Sequence, residues 1–186
     1  YKTKARISQY GSFFGGVEGP DHTIWLGGEE GLAYLKNDSL VSYKLNGEDL
    51  YVNDIKKDKA GNVWITTGGE GLLRCVFNEQ AKLEMIRKYT ERNGLNTSTF
   101  MNILPARDSN IWVSSPRGLS FIGLSGDNKN RVLNFDEKDG FIKSGYNNLT
   151  LYQDKKGIIW AGCSKGLTSF NPDSIVISAK KPLVYI

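Results

Sequence analysis

The chain has 186 residues, of which 39% are hydrophobic and 24% are charged, as is usual for a globular protein. Its net charge of +4 comes from basic residues scattered among acidic ones, so the sequence contains neither a basic block nor a recognisable nucleic-acid-binding module. No apolar run approaches the roughly 18 residues that a membrane-spanning helix requires.

Short stretches of strand composition follow one another along the chain, separated by turns that contain Gly, Asn and Asp. Residues 83–89 also have helix propensity, but no segment carries a sustained 3.6-residue apolar stripe, so the pattern predicts an all-β fold. The predicted strands are 13–18, 24–28, 31–36, 40–45, 50–58, 62–67, 71–77, 83–89, 99–107, 110–115, 118–123, 131–135, 146–153, 158–163 and 166–170.

A repeated unit organises these strands, and it contains every tryptophan of the chain. The tryptophans lie 39, 48 and 48 residues apart, a period that indicates a repeat protein. Four short strands in a repeat of this length are typical of a β-propeller blade. A large ring at the same place in each repeat favours packing between neighbouring sheets over a sugar-binding platform. The four residues are Trp25, Trp64, Trp112 and Trp160.

The spacing divides the chain into four blades at residues 11–47, 48–97, 98–143 and 144–174, of which the last is partial. Residues 1–10 are predicted to be the outer strand of a preceding blade, because their apolar positions alternate. Residues 175–186 are extended and apolar, and they are predicted to form an exit linker toward another domain.

Each unit has two predicted turns. Asp58 and Asp154 begin the first turn, since a carboxylate can accept hydrogen bonds from nearby backbone amides, and Gly61 and Gly157 accept positive φ there. A Gly-Leu pair after the tryptophan closes a hairpin and starts the third strand. Its glycines are Gly31, Gly71, Gly118 and Gly166.

Two repeats depart from this pattern. Gly19 and Ala106 occupy the position of the turn aspartates, and an aspartate follows two residues later in each case. His22 and Ser109 replace the turn glycine. These substitutions predict that the first and third turns are built differently from the other two.

The Asp-x-x-Gly-x-[Ile/Val]-Trp unit, followed by Gly-Leu, resembles the two-component regulator propeller repeat. The likeness covers residues 13–180, and residues 166–175 look like the last blade of such a sensor. The resemblance implies a periplasmic sensor region of a Bacteroides-type hybrid two-component protein, with further blades, a β-sandwich domain, a membrane span and a histidine kinase. Four blades are then an incomplete ring, and we expect a homodimer through the exposed blade edges.

The sequence offers no constellation for catalysis, a metal or a cofactor. His22 is the only histidine, and it lies in a turn, so neither a metal cluster nor a Ser-His-Asp site is predicted. Phosphate-binding glycine loops are also absent, because the double glycines at 27–28 and 68–69 lie in hairpin turns. The carboxylate pairs at 29–30 and 48–49 are adjacent along the chain and therefore point to opposite sides of a strand.

Candidate binding residues lie in the loops that join the second and third strands, which gather on one face of a propeller. Arg117 and Lys165 can pair with the acidic group of a sugar, and solvated surface charge is the alternative. The hairpin candidates are Glu30, Glu70, Arg117 and Lys165. An aromatic residue followed by Asn recurs in the innermost strands, where the amide either bonds around the channel or faces a ligand. These amides are Asn53, Asn102 and Asn148.

The resemblance implies a sensor segment, not an enzyme, that binds an oligosaccharide or transmits its binding. Two alternatives remain open at this point. A structural or protein-interaction propeller would use the same faces to bind another chain, and a propeller carbohydrate-active enzyme would turn over a glycan.

Overall fold

The computed structural model describes residues 11–141 and 150–175. The strands of these residues form four antiparallel sheets, each built from strands that are consecutive in the chain. The first three sheets have four strands and the fourth has three. The strands are β1 Phe13–Glu18, β2 Ile24–Gly28, β3 Gly31–Lys36, β4 Ser39–Tyr43, β5 Val52–Lys57, β6 Val63–Thr67, β7 Leu72–Phe77, β8 Leu83–Tyr89, β9 Ile103–Pro105, β10 Ile111–Ser115, β11 Gly118–Ile122, β12 Val132–Phe135, β13 Thr150–Gln153, β14 Ile159–Cys163 and β15 Gly166–Phe170.

The sheets are successive propeller blades, which we number 1 to 4, so the predicted all-β propeller fold is confirmed. The innermost strands follow one another, with β1 packed on β5, β5 on β9 and β9 on β13. Residues 83–89 form the outer strand β8, because pairing with β7 buries Leu83 and Tyr89 at its two ends. Tertiary packing thus overrides the helix propensity of this stretch.

Short 3-10 helices, and no longer helix, occur in the described ranges. They span Glu91–Asn93, Gly126–Asn128, Glu137–Asp139 and Pro172–Ser174. None of the helices in residues 11–141 and 150–175 is long and apolar enough to span a membrane. The predicted outer strand at 1–10, most of the linker at 175–186 and the start of the strand predicted at 146–153 lie outside the described residues.

Tryptophan packing between blades forms the core. Trp25 and Trp64 are fully buried, and Trp112 is 1% exposed. Trp25 contacts Phe77 of blade 2 with ring centroids 5.8 Å apart, and Trp112 contacts Phe170 of blade 4 at 5.1 Å. Trp64 joins a buried cluster with aliphatic residues of blade 3. Each of these rings therefore belongs to one blade and packs on the next, as the repeat predicts.

The turn before β6 fixes the tryptophan of its blade. Asp58 Oδ2 accepts a hydrogen bond from the Trp64 indole Nε1 at 2.8 Å, and Oδ1 accepts from the backbone amides of Ala60 and Asn62 at 2.9 Å. Asp154 repeats this arrangement with Trp160, whose indole lowers the pKa of the carboxyl below its usual value. One carboxylate therefore closes the turn and orients the ring.

The prediction that the first and third turns are built differently is wrong for the backbone. The residue in the aspartate position makes the same two turn hydrogen bonds in all four blades, including Gly19 and Ala106. His22 and Ser109 adopt φ of 62° and 67°, in the left-handed region that glycine occupies in the other two turns. In the first turn the carboxylate comes from Asp21, which lies two residues after Gly19 and accepts a hydrogen bond from a backbone amide. Only the side-chain support differs.

The missing carboxylate has a consequence for the indoles. Among the residues that the structure describes, Trp25 Nε1 and Trp112 Nε1 are buried without a hydrogen-bond partner, whereas the indoles of blades 2 and 4 have one. A buried donor without a partner costs about 1–3 kcal/mol, so blades 1 and 3 rely more on packing.

The hairpin glycines take the predicted role. Gly71 has φ of 94°, and a Cβ there would lie 2.3 Å from the carbonyl oxygen of Tyr89. The outer strand β8 therefore ends directly against this turn. Any side chain at this position forces the hairpin away from its own blade.

Replacing Asp58 by Ala removes four hydrogen bonds, from Trp64, Ala60 and both the backbone and the side chain of Asn62. We expect the free energy of unfolding to fall by about 2–3 kcal/mol, because buried donors lose their acceptor. Guanidinium unfolding followed by tryptophan fluorescence measures the change. As a control, Asp49→Ala removes a carboxylate that is 71% exposed and pairs with Lys44 at the surface, so its midpoint should stay at the wild-type value. Equal midpoints for the two variants would contradict the role given to Asp58.

Candidate functional site

A cleft opens on the axial side of the blades, where the innermost strands of blades 1, 2 and 3 begin. Its volume is about 490 Å³. Aromatic, amide and charged side chains line it together, so the cleft offers apolar surface beside hydrogen-bonding groups. The lining residues are Phe13, Phe14, Tyr51, Asn53, Asp54, Lys56, Met101 and Asn102.

Two of these residues line the cleft because each is the extra residue of an irregularity in strand pairing. In β1 the register with β2 skips Phe14, and in β5 the register with β6 skips Asn53. Each is the extra residue of a β-bulge, a device that redirects a side chain out of the regular alternation. Phe14 and Asn53 consequently line the axial cleft.

An exposed pair of aromatic rings lies at the cleft. Phe14 is 45% exposed and Tyr51 is 48% exposed, and their ring centroids are 6.3 Å apart with a tilt of 36°. By contrast, three tryptophans of the chain lie in the core. Exposed rings beside hydrogen-bonding amides provide an apolar surface next to polar groups, as binding sites for amphipathic ligands require.

The floor of the cleft is held by a buried carboxylate. Asp54 is 5% exposed, and its Oδ2 accepts a hydrogen bond from the backbone amide of Ile103 in blade 3 at 3.1 Å. Its Oδ1 accepts from the Ile55 amide at 2.9 Å and lies 3.2 Å from Lys56 Nζ. Asp54 therefore joins blades 2 and 3, and Lys56 offsets its charge.

Blade 1 reaches this carboxylate closely. A Cβ on Gly15 would lie 2.9 Å from Asp54 Oδ1 and 3.1 Å from the Ile55 amide. Even alanine at position 15 would thus push β1 away from β5. Glycine here sets the width of the cleft between the first two blades.

The structure describes two of the three asparagines that the sequence predicts near the axis, and their contacts differ. Asn53 Nδ2 donates to the carbonyl oxygen of Phe100 at 2.8 Å, which links blades 2 and 3 across the cleft, and Asn102 lines the same cleft. The two are not equivalent in the repeat. The backbone carbonyl oxygen of Asn102 accepts a hydrogen bond from the amide of Ser114, which lies two residues after Trp112. In blade 2 the residue that pairs with the corresponding position is Asp54, not Asn53. Asn148 lies outside the described residues.

The four hairpin candidates lie in four separate turns. Glu30 and Lys165 are exposed. Glu70 pairs with Lys88 of its own blade, and Arg117 Nη1 donates to the carbonyl oxygen of Asn96. None of the four lines the axial cleft. Ligand binding by these four residues, including the pairing of Arg117 and Lys165 with an acidic sugar, remains a prediction.

Two of these hairpins, those of Glu30 and Glu70, nevertheless lie beside the strands that begin at the cleft. The Gly68 amide donates to the carbonyl oxygen of Tyr51 at 3.0 Å, and the Glu29 amide donates to that of Ser12 at 3.1 Å. A Cβ on Gly68 would touch the Tyr51 ring at 3.2 Å. The turn that carries Glu70 thus lies directly beside the exposed ring.

Two features of the cleft did not emerge from the sequence, namely the exposure of Phe14 and the link made by Asp54. Both depend on the bulges, whose positions follow from cross-strand register. The only local signal is the pair Gly15-Gly16 after two phenylalanines, since glycines inside a strand often mark a bulge or a close approach.

The described residues offer little for nucleophilic or metal chemistry. Burial raises the pKa of the Cys75 thiol to about 12, so it carries almost no thiolate at neutral pH. His22 is exposed in its turn and contacts Glu18. Within 11–141 and 150–175, no group of three or more His, Cys, Asp or Glu residues is placed to hold a metal ion.

Solved structures of similar fold include sensor domains. The extracellular domain of a hybrid two-component system from B. thetaiotaomicron matches 93% of this chain with a TM-score of 0.70 and 22% identity, over 23% of its own length. A streptogramin B lyase matches 91% of this chain with a TM-score of 0.63 and 19% identity, over 55% of its length. At these identities the likeness establishes the propeller fold, which sensors and enzymes share.

Among curated proteins, a histidine kinase from Formosa agariphila is 27% identical over 96 residues, which are 52% of this chain and 7% of the kinase. No protein-family profile matches the sequence. The chain therefore spans 7% of this kinase and 23% of the extracellular domain described above.

Replacing Asp54 by Ala removes the acceptor of two backbone amides and leaves Lys56 without its partner. We expect a loss of about 2–4 kcal/mol in the free energy of unfolding, since buried donors lose a charged acceptor. Urea unfolding measures this loss. Asp127→Ala, in an exposed 3-10 helix, is the control and should unfold like wild type. A wild-type midpoint for Asp54→Ala would show that blades 2 and 3 do not depend on this carboxylate.

Proposed function

We propose that the chain is an extracytoplasmic segment, periplasmic in location, of a hybrid two-component sensor, and that it binds an oligosaccharide without turning it over. The axial cleft is the observation that carries this proposal. The similarity to a histidine kinase and to the extracellular domain of a two-component system supports the signalling role.

The chemistry of the cleft suits a sugar. A pyranose has apolar C–H faces and a rim of hydroxyls. The rings of Phe14 and Tyr51 provide flat apolar surface, and the amides of Asn53 and Asn102 provide both donors and acceptors. The cleft volume of about 490 Å³ lies within the usual range for small-molecule sites.

Charge in the cleft favours a neutral sugar over an acidic one. Lys56 is the one basic residue among the lining side chains, and its Nζ lies 3.2 Å from Asp54. A carboxylated or sulfated sugar would compete with this ion pair. The basic hairpin residues Arg117 and Lys165 lie outside the cleft and offer an acidic sugar a separate place. A neutral ligand would therefore point to the cleft, and an acidic ligand would point to the hairpins.

Binding at this cleft would act on three blades at once, because its walls come from blades 1, 2 and 3. A ligand that prefers one arrangement of these blades shifts the population toward it. The segment would then transmit binding as a small rigid movement against the next domain.

Calorimetric titration with a panel of neutral and acidic oligosaccharides tests the proposal. We expect a neutral oligosaccharide to bind, and Tyr51→Ala to weaken its affinity at least about tenfold, because aromatic anchors carry much of the energy in such sites. Phe14→Ala should have an effect of the same direction. Tyr152→Ala is the matched control, since this tyrosine is 63% exposed and lies in blade 4 outside the cleft.

Other outcomes distinguish the remaining readings. Binding of an acidic sugar that is lost in Arg117→Ala or Lys165→Ala, with Tyr51→Ala unchanged, would place the site at the hairpins. Turnover of a glycan would identify an enzyme. If no oligosaccharide of the panel binds, sugar binding by this segment is rejected and the protein-interaction propeller is favoured.

A further inference from the structure

A groove separate from the axial cleft lies at the outer rim, between the two middle blades of the described series. Its volume is about 190 Å³, and none of its lining residues lines the cleft. Blade 2 contributes Arg74 and Arg87 to it, and blade 3 contributes Lys129 and Arg131. The described residues of its lining include no acidic side chain, so four positive charges share a small space. We call this the rim groove.

Strand pairing sets two of these arginines against each other. Arg74 on β7 stands directly opposite Arg87 on β8. The register skips Ile86, which is thus the extra residue of a β-bulge, whereas regular pairing would set Ile86 opposite Arg74. Like charges directly opposite each other destabilise a sheet. The bulge therefore exchanges an aliphatic neighbour of Arg74 for a second positive charge.

Neighbouring rings hold both guanidinium groups. The guanidinium carbon of Arg74 lies 5.6 Å from the ring centroid of Trp64, and that of Arg87 lies 4.8 Å from the ring centroid of Tyr89. Arg74 Nη2 also donates to Asn62 Oδ1 at 3.0 Å. Contacts of this kind restrict a side chain, so less conformational entropy is lost when it binds a ligand.

Nearby carboxylates do not offset the charge of the rim groove. Within residues 11–141 and 150–175, none of the ion pairs includes a basic residue of the groove. Asp58 is linked to Arg74 through the side chain of Asn62, not directly. Arg74 Nε is buried and has no hydrogen-bond partner among the described residues. Unpaired donors and charges are features that a bound anion would satisfy.

We propose that the rim groove binds a doubly charged tetrahedral oxyanion, such as phosphate or sulfate, which bridges blades 2 and 3. The planar forks of arginine match the oxygens of these anions, and Asn93 and Asn130 add amide donors to the lining. Four positive charges favour a doubly charged group over a single carboxylate. The bound anion would replace the repulsion between Arg74 and Arg87 by attraction to a shared partner. The site is independent of the sugar binding proposed for the axial cleft.

Calorimetric titration with sodium sulfate and sodium phosphate tests the proposal, with ionic strength held constant by sodium chloride. We expect saturable binding of sulfate, and Arg87→Gln and Arg131→Gln each to weaken it at least about tenfold, since each removes a charged donor. Both arginines are exposed, so each variant should fold, which circular dichroism verifies. Arg92→Gln is the matched control, because this arginine is also exposed and lies outside the lining, and it should bind like wild type.

Urea unfolding provides a second readout. Sulfate should raise the unfolding midpoint of wild type more than that of Arg87→Gln, because a ligand of the folded state stabilises it. The general stabilising effect of sulfate acts on both proteins, so the difference between them reports the site.

Two further ligands define the chemistry. Glucose 6-phosphate carries the doubly charged group as an ester. Binding as tight as that of phosphate would show that the groove accepts the group on a larger molecule, and binding about tenfold weaker would show that it takes the free ion. Sodium acetate should bind at least about tenfold more weakly than sulfate, since a carboxylate carries one charge.

Three results would overturn the proposal. Sulfate that binds no better than chloride at constant ionic strength would identify the groove as solvated surface charge. Unchanged binding in Arg87→Gln and Arg131→Gln would place the anion elsewhere. Acetate that binds as tightly as sulfate would reject a doubly charged ligand.

Discussion

Burial of one indole between two successive sheets is the interaction on which the rest of the structure depends. A four-stranded sheet cannot bury both of its faces alone, so each blade is stable only against a neighbour. The tryptophan supplies a large apolar surface to the contact, and the aliphatic residues on either side of the next tryptophan pack against it. The same side-chain pattern thus builds both faces of the contacts between successive blades.

The Asp–indole hydrogen bond is secondary to this packing. Two turns keep the same backbone without the carboxylate, even though His22 and Ser109 must adopt positive φ and the indoles of Trp25 and Trp112 lose their acceptor. These turns therefore form without the Asp–indole hydrogen bond, and the carboxylates of Asp21 and Asp108 accept from the backbone amides of Thr23 and Asn110 instead. The aspartate adds a hydrogen bond to the indole in blades 2 and 4. Blades 1 and 3 form the same turn without it.

The period of the tryptophans was enough to predict the fold and most of the strands, including β8 against its helix propensity. The strand prediction was wrong at the axial cleft, where the strand predicted at 99–107 begins only at Ile103. The Phe100 amide bonds to Thr67 of blade 2 instead of to its own sheet. Bulges and crossings of this kind depend on register between strands that are distant in sequence, so no local pattern specifies that Phe14 and Asn53 meet in one cleft.

The cleft and the interblade contacts are mechanically one unit. Asp54 and Asn53 of blade 2 bond to the backbone of blade 3, and Thr66 donates to the carbonyl oxygen of Met101 in the same blade. The walls that would contact a ligand are therefore the strands whose spacing the buried tryptophans determine. Because packed sheets deform little, a ligand that changes the cleft must move whole blades relative to one another.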